Sequence, residues 1–404
     1  MKRRILSMIL TVGMVTCALA GCGGSAGSSA PAAEAPAAEA PAAEAPAAEE
    51  AAPAAEEAAP AAEEAAPAAE AAGGSDIAGK TVAFIPKVTG NSFFEAANDG
   101  AQKYAADWGI TVDYIGRAAA SVNDQIDAIQ EAMDKGVDAI AISSVDATAL
   151  DEKLKEAADQ GITVCTWDSD VSPDARALMV SQGTASVLGP MLVDMGVDAL
   201  KNRGKDPEKD PIKYVWHYSN PTVADQNSWY VAGDQYIKDK FPNWEAVAEP
   251  YYSNQDSQES VTTGEAVLDA HPDVDLIICN DSTALPGQCQ AAQNKGLTKD
   301  DISITGFCTP SGMTAYLDAN ILERWGLWDC GVQGALGCYF AAYIAAGNVV
   351  HAGDDVDVPG IGKVSVVSNG DLVDGQATAD ENNGVVLLPE RVVFTADNVK
   401  DYNF

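Results

Sequence analysis

Short runs of β-branched and apolar residues alternate with longer amphipathic runs over residues 81 to 307, and this alternation limits the fold more than any other feature of the chain. In the longer runs the apolar residues recur at i, i+3, i+4 and i+7, which is the spacing of one helix face. Such alternation predicts parallel sheets covered by helices, with right-handed crossovers. The predicted strands cover residues 81–86, 111–116, 139–144, 163–168, 177–182, 213–219, 246–253, 276–280 and 302–307.

Several predicted helices end at a glycine directly before the next strand, as at Gly136, Gly161 and Gly296. Glycine adopts the left-handed conformation that commonly closes a helix, so these positions support the alternation of helix and strand. Residues 77–404 are long enough to form two lobes of this kind.

Polar side chains follow four of the predicted strands. In open parallel sheets, ligands bind at the carboxyl ends of the strands. The four sets come from two separate parts of the chain, which predicts one ligand site that both parts share. The residues are Lys87, Asp168, Asp225, Gln226, Asn280 and Ser282.

Asp168 and Asp170 lie one residue apart in the stretch TWDSD. A glycosidase pair would need one neutral carboxyl group, and neither residue lies in an obviously apolar setting. The continuation VSPDAR lacks the pattern of a calcium loop. For Asp168 we favour an acceptor of ligand hydroxyl groups, with a helix or turn cap as the alternative, whereas for Asp170 the turn is favoured.

Aromatic residues near the strand ends could cover the apolar faces of a sugar ring, and the alternative for each is a place in the core. We favour Phe94 and Trp328 as ring contacts among the aromatic residues Phe93, Phe94, Trp167, Trp325 and Trp328.

Residues 77–404 lack the GxSxG, P-loop, HExxH and GxGxxG motifs, so we expect no enzymatic activity, no catalytic residue and no cofactor. The three histidines of the chain share no metal-ligand spacing, and we expect no metal site. The formal net charge of −36 argues against nucleic acid as a partner.

Buried free thiols are favoured, with a disulfide as the alternative, for Cys165, Cys279, Cys289, Cys308, Cys330 and Cys338.

The first 76 residues cannot form a hydrophobic core. Residues 1–21 have the basic start, short apolar stretch and small residues of a secretory signal peptide. The run Leu19-Ala20-Gly21-Cys22 resembles a bacterial lipobox, which implies cleavage before Cys22 and a lipid on its sulfur. The remainder of residues 22–76, rich in Ala, Pro and Glu, predicts a disordered tether. We therefore expect a lipid-anchored protein on the extracytoplasmic face of the cell membrane.

Several stretches of residues 80–404 are similar to one known family. They are AFIPKVTGNSFFEAANDGAQ, TWDSD, LGPMLVDM, SNPTVADQNSW, ALPGQCQAA, GLWDCGVQG and the ending GVVLLPERVVFTADNVKDYNF. With these stretches, residues 80–404 resemble a type I periplasmic binding protein of a sugar ABC importer, most of all the autoinducer-2-binding (Lsr-type) and rhamnose-binding group. The resemblance implies two Rossmann-like lobes joined by a three-segment hinge. The N-terminal lobe would comprise residues 77–183 and 328–365, and the C-terminal lobe residues 184–327 and 366–404.

The resemblance also implies roles for the strand-end residues. In the family a lysine, the first aspartate of WDSD and an Asp-Gln pair hold the autoinducer, and they match Lys87, Asp168, Asp225 and Gln226. The two remaining family contacts are a proline and an alanine, and this chain departs from that pattern because it has Asn280 and Ser282 there. The ligand is therefore expected to be autoinducer-2 or another monosaccharide, such as rhamnose.

Two functions fit these observations. The first is a monomeric receptor that delivers its ligand to the permease subunits of an ABC transporter. The second is a ligand-sensing module for a membrane signalling partner. A LacI-like repressor is excluded by the export signal and by the absence of a basic helix-turn-helix motif.

Overall fold

A computed structural model describes residues 77–372 and 381–404, which lie in one compact unit. The segments interpreted as the signal peptide (1–21) and as the lipidated Cys22 with its tether (22–76) lie outside the described residues.

The strands largely follow the predicted β-rich runs. They are β1 (Thr81–Ile85), β2 (Thr111–Tyr114), β3 (Ala139–Ile142), β4 (Thr163–Trp167), β5 (Leu178–Ser181), β6 (Ile212–Tyr218), β7 (Trp244–Ala246), β8 (Tyr251–Tyr252), β9 (Leu276–Cys279), β10 (Ser303–Gly306), β11 (Trp325–Leu327), β12 (Asp355–Val358), β13 (Gly362–Val367), β14 (Gly384–Leu387) and β15 (Val392–Phe394).

The helices fill the intervals between most of these strands, and short 3₁₀ turns occur at Pro173–Ala175 and Val399–Asp401. They are α1 (Ser92–Trp108), α2 (Val122–Lys135), α3 (Asp151–Asp159), α4 (Ala185–Asn202), α5 (Ala224–Lys240), α6 (Ser257–Ala270), α7 (Ala284–Asn294), α8 (Pro310–Asp318), α9 (Cys330–Ala345) and α10 (Asn369–Leu372).

Two large sheets organise the described residues, and β11 and β15 form a third, two-stranded sheet. The first has the order β12-β13-β14-β5-β4-β3-β1-β2 and is parallel from β14 to β2, with β12 and β13 antiparallel at its edge. The second has the order β10-β9-β6-β7, with β8 also beside β6, and is parallel throughout. The predicted α/β class with parallel sheets is therefore confirmed. We call the part built on the first sheet the N-terminal lobe and the part built on the second the C-terminal lobe.

The chain crosses between the two lobes after β5, after β11 and after β14. The last crossing was expected after about residue 365. The assignment of residues 366–404 to the C-terminal lobe is wrong for β14, whereas the pairing of β15 with β11 agrees with it. Strand β14 pairs in parallel with β5 in the first sheet, with Gly384 opposite Leu178. Its run GVVL is apolar and buried from Gly384 to Val386, as expected for a parallel strand covered on both faces. Only β15 returns, to pair with β11.

The predicted strand at 246–253 is two strands, β7 and β8, which both pair with β6. Pro250 lies between them. Because proline has no backbone N–H to donate, it interrupts a hydrogen-bonded ladder, and the single strand divides there.

Helices α1 and α9 pack tightly against each other on the first sheet. A Cβ atom on Gly100 would lie 2.3 Å from the Cα atom of Gly331, so only glycine permits this approach. Helix α1 begins at Ser92, with Asn91 as its N-cap. The close packing therefore fixes the position of a helix whose N-terminus lies at the boundary between the lobes.

The six cysteines of the described residues are all buried and free, as favoured from the sequence. Burial raises the pKa of the Cys165 thiol to about 12, so it stays protonated and unreactive. Across the part of the chain that the structure describes, no helix has the length and apolar composition needed to cross a bilayer.

Candidate functional site

A buried cluster of one lysine and two aspartates lies where the lobes meet. Lys87 follows β1, Asp168 follows β4, and Asp225 lies in the first turn of α5. The ammonium nitrogen of Lys87 is 2.8 Å from Asp168 Oδ2 and 3.6 Å from Asp225 Oδ1. The Lys87 side chain is 1 % exposed, so nearly all of this charge is balanced inside the protein rather than by water.

Asp168 is held in an uncommon backbone conformation. Its φ angle is +61°, a left-handed value that aspartate tolerates better than most residues. The Asp168 N–H donates to the Val180 carbonyl at 3.1 Å, and the Ser143 hydroxyl donates to Asp168 Oδ2 at 2.7 Å. Strain of this kind persists where the surrounding structure enforces it, and it directs the carboxylate towards Lys87.

The C-terminal lobe contributes a second polar group, built around Gln226 and Asn280. The Asn280 amide nitrogen donates to the Gln226 backbone carbonyl at 2.8 Å, which joins the end of β9 to the start of α5. The Ser219 hydroxyl donates to Gln226 Oε1. Both Gln226 and Asn280 are buried.

A cavity of about 20 Å³ lies between these groups. Seven of the eight predicted side chains line it, and the eighth, Asp225, reaches it through its ion pair with Lys87. This volume suits about one water molecule, so a sugar can enter only if the two sets of side chains move apart. The lining is Lys87, Phe93, Phe94, Asp168, Gln226, Trp229, Gln255, Asn280, Asp281, Ser282, Thr283, Phe307, Leu327 and Trp328.

The apolar wall of the cavity is an aromatic cluster. The ring centroid of Trp328 lies 5.9 Å from that of Phe93, 5.8 Å from that of Trp229 and 5.5 Å from that of Phe307. Phe94 packs edge-on against Phe93 at 5.2 Å. The structure thus brings the predicted Phe94 and Trp328 to the site.

Sequence reasoning missed six residues of the lining, which are Trp229, Gln255, Asp281, Thr283, Phe307 and Leu327. Two of them had a usable signal. Trp229 lies three residues after Gln226 on α5 and so shares its helix face. Phe307 directly follows β10, as the polar residues follow their strands. Trp325, considered with the ring contacts, instead packs against Phe394 in the β11–β15 pair.

Direct hydrogen bonds join the two lobes beside the cavity. The Ser282 hydroxyl donates to Asn91 Oδ1 at 3.1 Å, and the Asn91 amide donates to Thr283 Oγ1 at 3.2 Å. Thr309 Oγ1 donates to Ser92 Oγ at 2.8 Å. The Ser282 hydroxyl, predicted as a ligand contact, therefore uses its donor across the cleft.

Burial and mutual repulsion perturb the acids of the cluster. Burial raises the pKa of Asp225 to about 6; Asp168 adds to the rise and Lys87 opposes it. Burial also raises the pKa of Asp281 to about 6, against the backbone N–H groups of Ala284 and Thr283. Burial alone would lower the pKa of Lys87, but Asp168 and Asp225 outweigh it and the net pKa is raised. Lys87 is therefore a permanent cation.

Asp170 has a different role from Asp168. Its two carboxylate oxygens accept from Arg176 Nε at 3.0 Å and Arg176 Nη2 at 2.8 Å. The Arg176 side chain is fully buried and also donates to Asn369 Oδ1 at 2.8 Å and to the Gly384 carbonyl at 3.2 Å. Asp170 thus holds the turn after β4 and, through Arg176, the C-terminal segment at β14.

A larger cavity of about 250 Å³ lies on the other side of Asp168 and Asp225. Its wall is mainly apolar, and none of Lys87, Gln226 and Asn280 lines it. The smaller cavity is the better candidate site because Lys87, Gln226 and Asn280 line it together with the aromatic cluster. In the described residues, no group of three or more His, Cys, Asp or Glu side chains is arranged to hold a metal ion.

Two parallel α/β lobes with a polar and aromatic cleft between them define a two-lobed solute-binding protein. Comparison with known proteins agrees, since residues 82–348 match the model of the periplasmic binding protein domain. The chain belongs to this family of extracytoplasmic, non-enzymatic substrate-binding proteins, which confirms the resemblance noted in the sequence.

Solved structures support the assignment. LsrB from Clostridium saccharobutylicum, in complex with AI-2, is 59 % identical, with a TM-score of 0.79 and coverage of 80 % of this chain and 100 % of that chain. An ABC transporter solute-binding protein from Clostridium phytofermentas with bound L-rhamnose is 24 % identical, with a TM-score of 0.70 and coverage of 80 % and 98 %, and it shows the shared fold.

A curated relative is more distant in sequence. The fructose import binding protein FruE of Bifidobacterium longum is 26 % identical over 265 residues, which is 62 % of this chain and 75 % of that protein.

Proposed function

We propose that this chain is the solute receptor of an ABC importer and binds a small polyhydroxylated furanose, with autoinducer-2 as the first choice, between its lobes. The observation that carries the proposal is the buried Lys87–Asp168–Asp225 cluster at the strand ends of both lobes. The 59 % identity to LsrB, whose structure holds AI-2, supports the choice of ligand.

The cluster suits a neutral ligand with many hydroxyl groups. Each carboxylate accepts hydrogen bonds from hydroxyls, Lys87 donates to a ring or hydroxyl oxygen, and charge-assisted bonds contribute about 1.5 to 3 kcal/mol each. The aromatic cluster covers the apolar face of a ring. Three or four such contacts suffice for micromolar affinity, about −8 kcal/mol.

Closure follows from how the contacts are divided between the lobes. Lys87 and Asp168 belong to the N-terminal lobe, whereas Gln226 and Asn280 belong to the C-terminal lobe. One ligand reaches both sets only when the cleft is closed, so binding shifts the population to the closed form. We propose that permease subunits recognise this form and that a lipid on Cys22 holds the receptor, as a monomer, at the membrane.

Isothermal titration calorimetry tests the ligand class. The purified protein is titrated with autoinducer-2 free of borate, and with rhamnose, ribose and galactose. We expect micromolar or tighter binding of autoinducer-2 and weaker binding of the pyranoses. If a folded protein binds none of them below millimolar concentration, the furanose proposal is wrong. If rhamnose binds most tightly, the receptor class stands and the ligand changes.

The anchor needs a separate measurement. Mass spectrometry of the protein from membranes is expected to find a diacylglyceryl adduct on Cys22, and Cys22→Ala should release the protein from the membrane fraction. Unmodified Cys22 in protein extracted from membranes would contradict the proposed lipid anchor. It would not affect the proposal about the ligand.

A further inference from the structure

Gln182 lies at the first of the three crossings between the lobes and is hydrogen-bonded to residues at the other two. It directly follows β5 and is 1 % exposed. Its backbone carbonyl accepts from Arg391 Nε at 2.8 Å, and Arg391 lies at the third crossing, directly before β15. Its side-chain oxygen accepts from Gln333 Nε2 at 2.8 Å, and Gln333 lies in the first turn of α9, after the second crossing. One residue therefore joins all three crossings.

The side chain of Gln182 also connects the two lobes directly. Its amide nitrogen donates to the Asp168 backbone carbonyl at 3.1 Å and to Asp225 Oδ2 at 3.3 Å. Asp168 belongs to the N-terminal lobe, as does Gln333, whereas Asp225 belongs to the C-terminal lobe. Separation of the lobes therefore acts on the bond between Gln182 and Asp225.

The direction of these hydrogen bonds is set at both ends. The indole N–H of Trp328 can only donate, and it donates to Gln333 Oε1 at 2.6 Å. Gln333 then presents its amide nitrogen to Gln182 Oε1, which leaves the Gln182 amide nitrogen to face Asp225. A reversed Gln182 side chain would place its oxygen against the Asp168 carbonyl and the Asp225 carboxylate, which are also acceptors. The series of bonds thus has one favourable arrangement.

Both ends of the series lie at the candidate site. Trp328 is part of the aromatic wall of the small cavity, and Asp225 pairs with Lys87. The two glutamines between them are buried and do not line that cavity. Any effect of Gln182 and Gln333 on a ligand must therefore act through the residues at the two ends.

We propose that Gln182 and Gln333 are positioning residues of a hinge relay, which comprises Trp328, Gln333, Gln182 and Asp225 and is complete only in the closed form. The inference rests on the proposed function, because it concerns closure around the ligand of the same site. A ligand that packs against Trp328 and pairs with Asp225 fixes both ends of the relay. Gln182 then favours one arrangement of all three crossings, since buried polar groups are costly to leave unpaired.

Gln182→Met tests the relay, because methionine has nearly the length of glutamine and lacks its amide donors and acceptor. In this variant Asp225 Oδ1 keeps its contacts with Ser169 and Lys87, while Oδ2 loses the donor that Gln182 supplies. Gln333→Met removes the neighbouring member. The two substitutions are combined in a double-mutant cycle, which measures whether the residues act together.

Gln288→Met is the matched control. Gln288 is also buried, at 0 % exposure, and its hydrogen-bond partners His217 and Gly264 lie in its own lobe. The substitution therefore removes the same chemical group from the interior without acting on a contact between the lobes.

Calorimetry and stopped-flow tryptophan fluorescence measure each protein with autoinducer-2, rhamnose, ribose and galactose. For a sugar that the wild type binds, Gln182→Met should raise Kd by at least about fivefold, mainly through faster dissociation, because the closed form loses a bond that the open form lacks. Gln333→Met should act in the same direction. The double variant should lie within about twofold of Gln182→Met, and Gln288→Met within about twofold of the wild type.

The outcomes separate the relay from the receptor function. A folded Gln182→Met protein with wild-type Kd and dissociation rate overturns the relay while the receptor function stands, and so do fully additive effects in the cycle. If Gln182→Met does not fold, Trp328→Phe takes its place in the cycle with Gln333→Met, because phenylalanine keeps an aromatic ring and lacks the N–H. Wild-type protein that binds none of the four sugars overturns the receptor function, and the relay with it.

Discussion

At the scale of single residues, the two aspartates of TWDSD have separate roles. Asp168 faces Lys87 and the cleft, whereas Asp170 pairs with the buried Arg176. The two carboxylates are one residue apart, yet one is placed to meet a ligand and the other holds the turn behind it. Their different partners predict opposite responses to the same substitution.

Asp168→Asn is expected to raise the dissociation constant of the ligand at least tenfold, about 1.4 kcal/mol. Its effect on the free energy of unfolding should be small, because Asp225 still neutralises Lys87 and Ser143 still has a hydrogen-bond partner. Calorimetry and urea unfolding of the same preparation measure both quantities. Unchanged affinity would assign Asp168 a purely structural role.

Asp170→Asn should lower the free energy of unfolding and leave ligand affinity almost unchanged. It leaves the buried Arg176 guanidinium without its carboxylate, and breaking such a pair destabilises a protein by about 3 kcal/mol or more. Ligand affinity should stay within twofold, since Asp170 does not line the small cavity. A stable variant with lost affinity would contradict this division of roles.

The acids of the cleft make stability depend on pH. The pKa of Asp225 and that of Asp281 are raised to about 6, above the unfolded value of about 3.9. Between these values the folded protein binds more protons than the unfolded chain, so the free energy of unfolding contributed by the two groups rises as pH falls through 6.

We therefore expect Tm of the ligand-free protein to be higher at pH 5.5 than at pH 7.5, at equal ionic strength. Asp281→Asn should reduce this difference, because it removes one of the titrating groups. A Tm difference between the two pH values that is the same in wild type and in Asp281→Asn would refute the assignment.

The sequence predicted much of the site because its residues follow strands, and strand ends of a parallel sheet meet at one edge. Lys87, Asp168 and Asn280 were found in this way. It could not show which acceptor atoms lack partners, because the hydrogen bonds by which Asp281 caps α7 depend on backbone geometry. The sequence places Trp229 in a predicted helix, and only the fold shows that its side chain lines the cleft.

At the scale of elements, one helix crossing positions the N-terminal side of the cleft. Helix α1, which supplies Phe93 and Phe94, packs against α9 at Gly100 and Gly331. The two glycines are not equivalent. A Cβ on Gly100 would clash with the Gly331 backbone at 2.3 Å, whereas a Cβ on Gly331 would approach no closer than 3.3 Å, to Asp329 Oδ1.

Gly100→Ala is therefore expected to destabilise the protein by about 1 to 3 kcal/mol, the usual effect of overpacking, and to weaken ligand binding because α1 must shift. Gly331→Ala is the matched control at the same crossing. It should change the free energy of unfolding by less than about 1 kcal/mol, since alanine favours the helix more than glycine does. Urea unfolding measures both, and equal effects would contradict the packing argument.

Sequence periodicity predicted most elements but not the pairing of β14. An apolar run such as GVVL indicates a buried strand, and nothing local to it specifies the neighbour. The neighbour is β5, which lies about 200 residues earlier in the chain, and Arg176 adds a hydrogen bond to the Gly384 carbonyl from a position 208 residues away. Periodicity carries no information about a contact of that range, so the last lobe boundary was misplaced.

At the scale of the whole molecule, closure depends on contacts between the lobes as well as on the ligand. Ser92 and Thr309 form one such contact, at 2.8 Å, and neither residue lines the small cavity. Ser92 is the first residue of α1, and its cap is supplied by Asn91, so the Ser92 hydroxyl is not needed to start the helix. This hydrogen bond therefore acts on closure without acting on the ligand or on helix α1.

Ser92→Ala should weaken ligand binding by about two- to fivefold, because loss of one neutral hydrogen bond makes the free energy of lobe closure less favourable by about 0.5 to 1 kcal/mol. The change should appear as faster ligand dissociation in stopped-flow measurements, with the association rate almost unchanged, since the bond forms only after the ligand has entered the cleft. Thr309→Ser is the control, because it retains the hydroxyl that reaches Ser92 and caps α8. An association rate that falls while dissociation stays constant would mean that the lobes close before the ligand enters, and the order of binding and closure proposed for this receptor would have to be reversed.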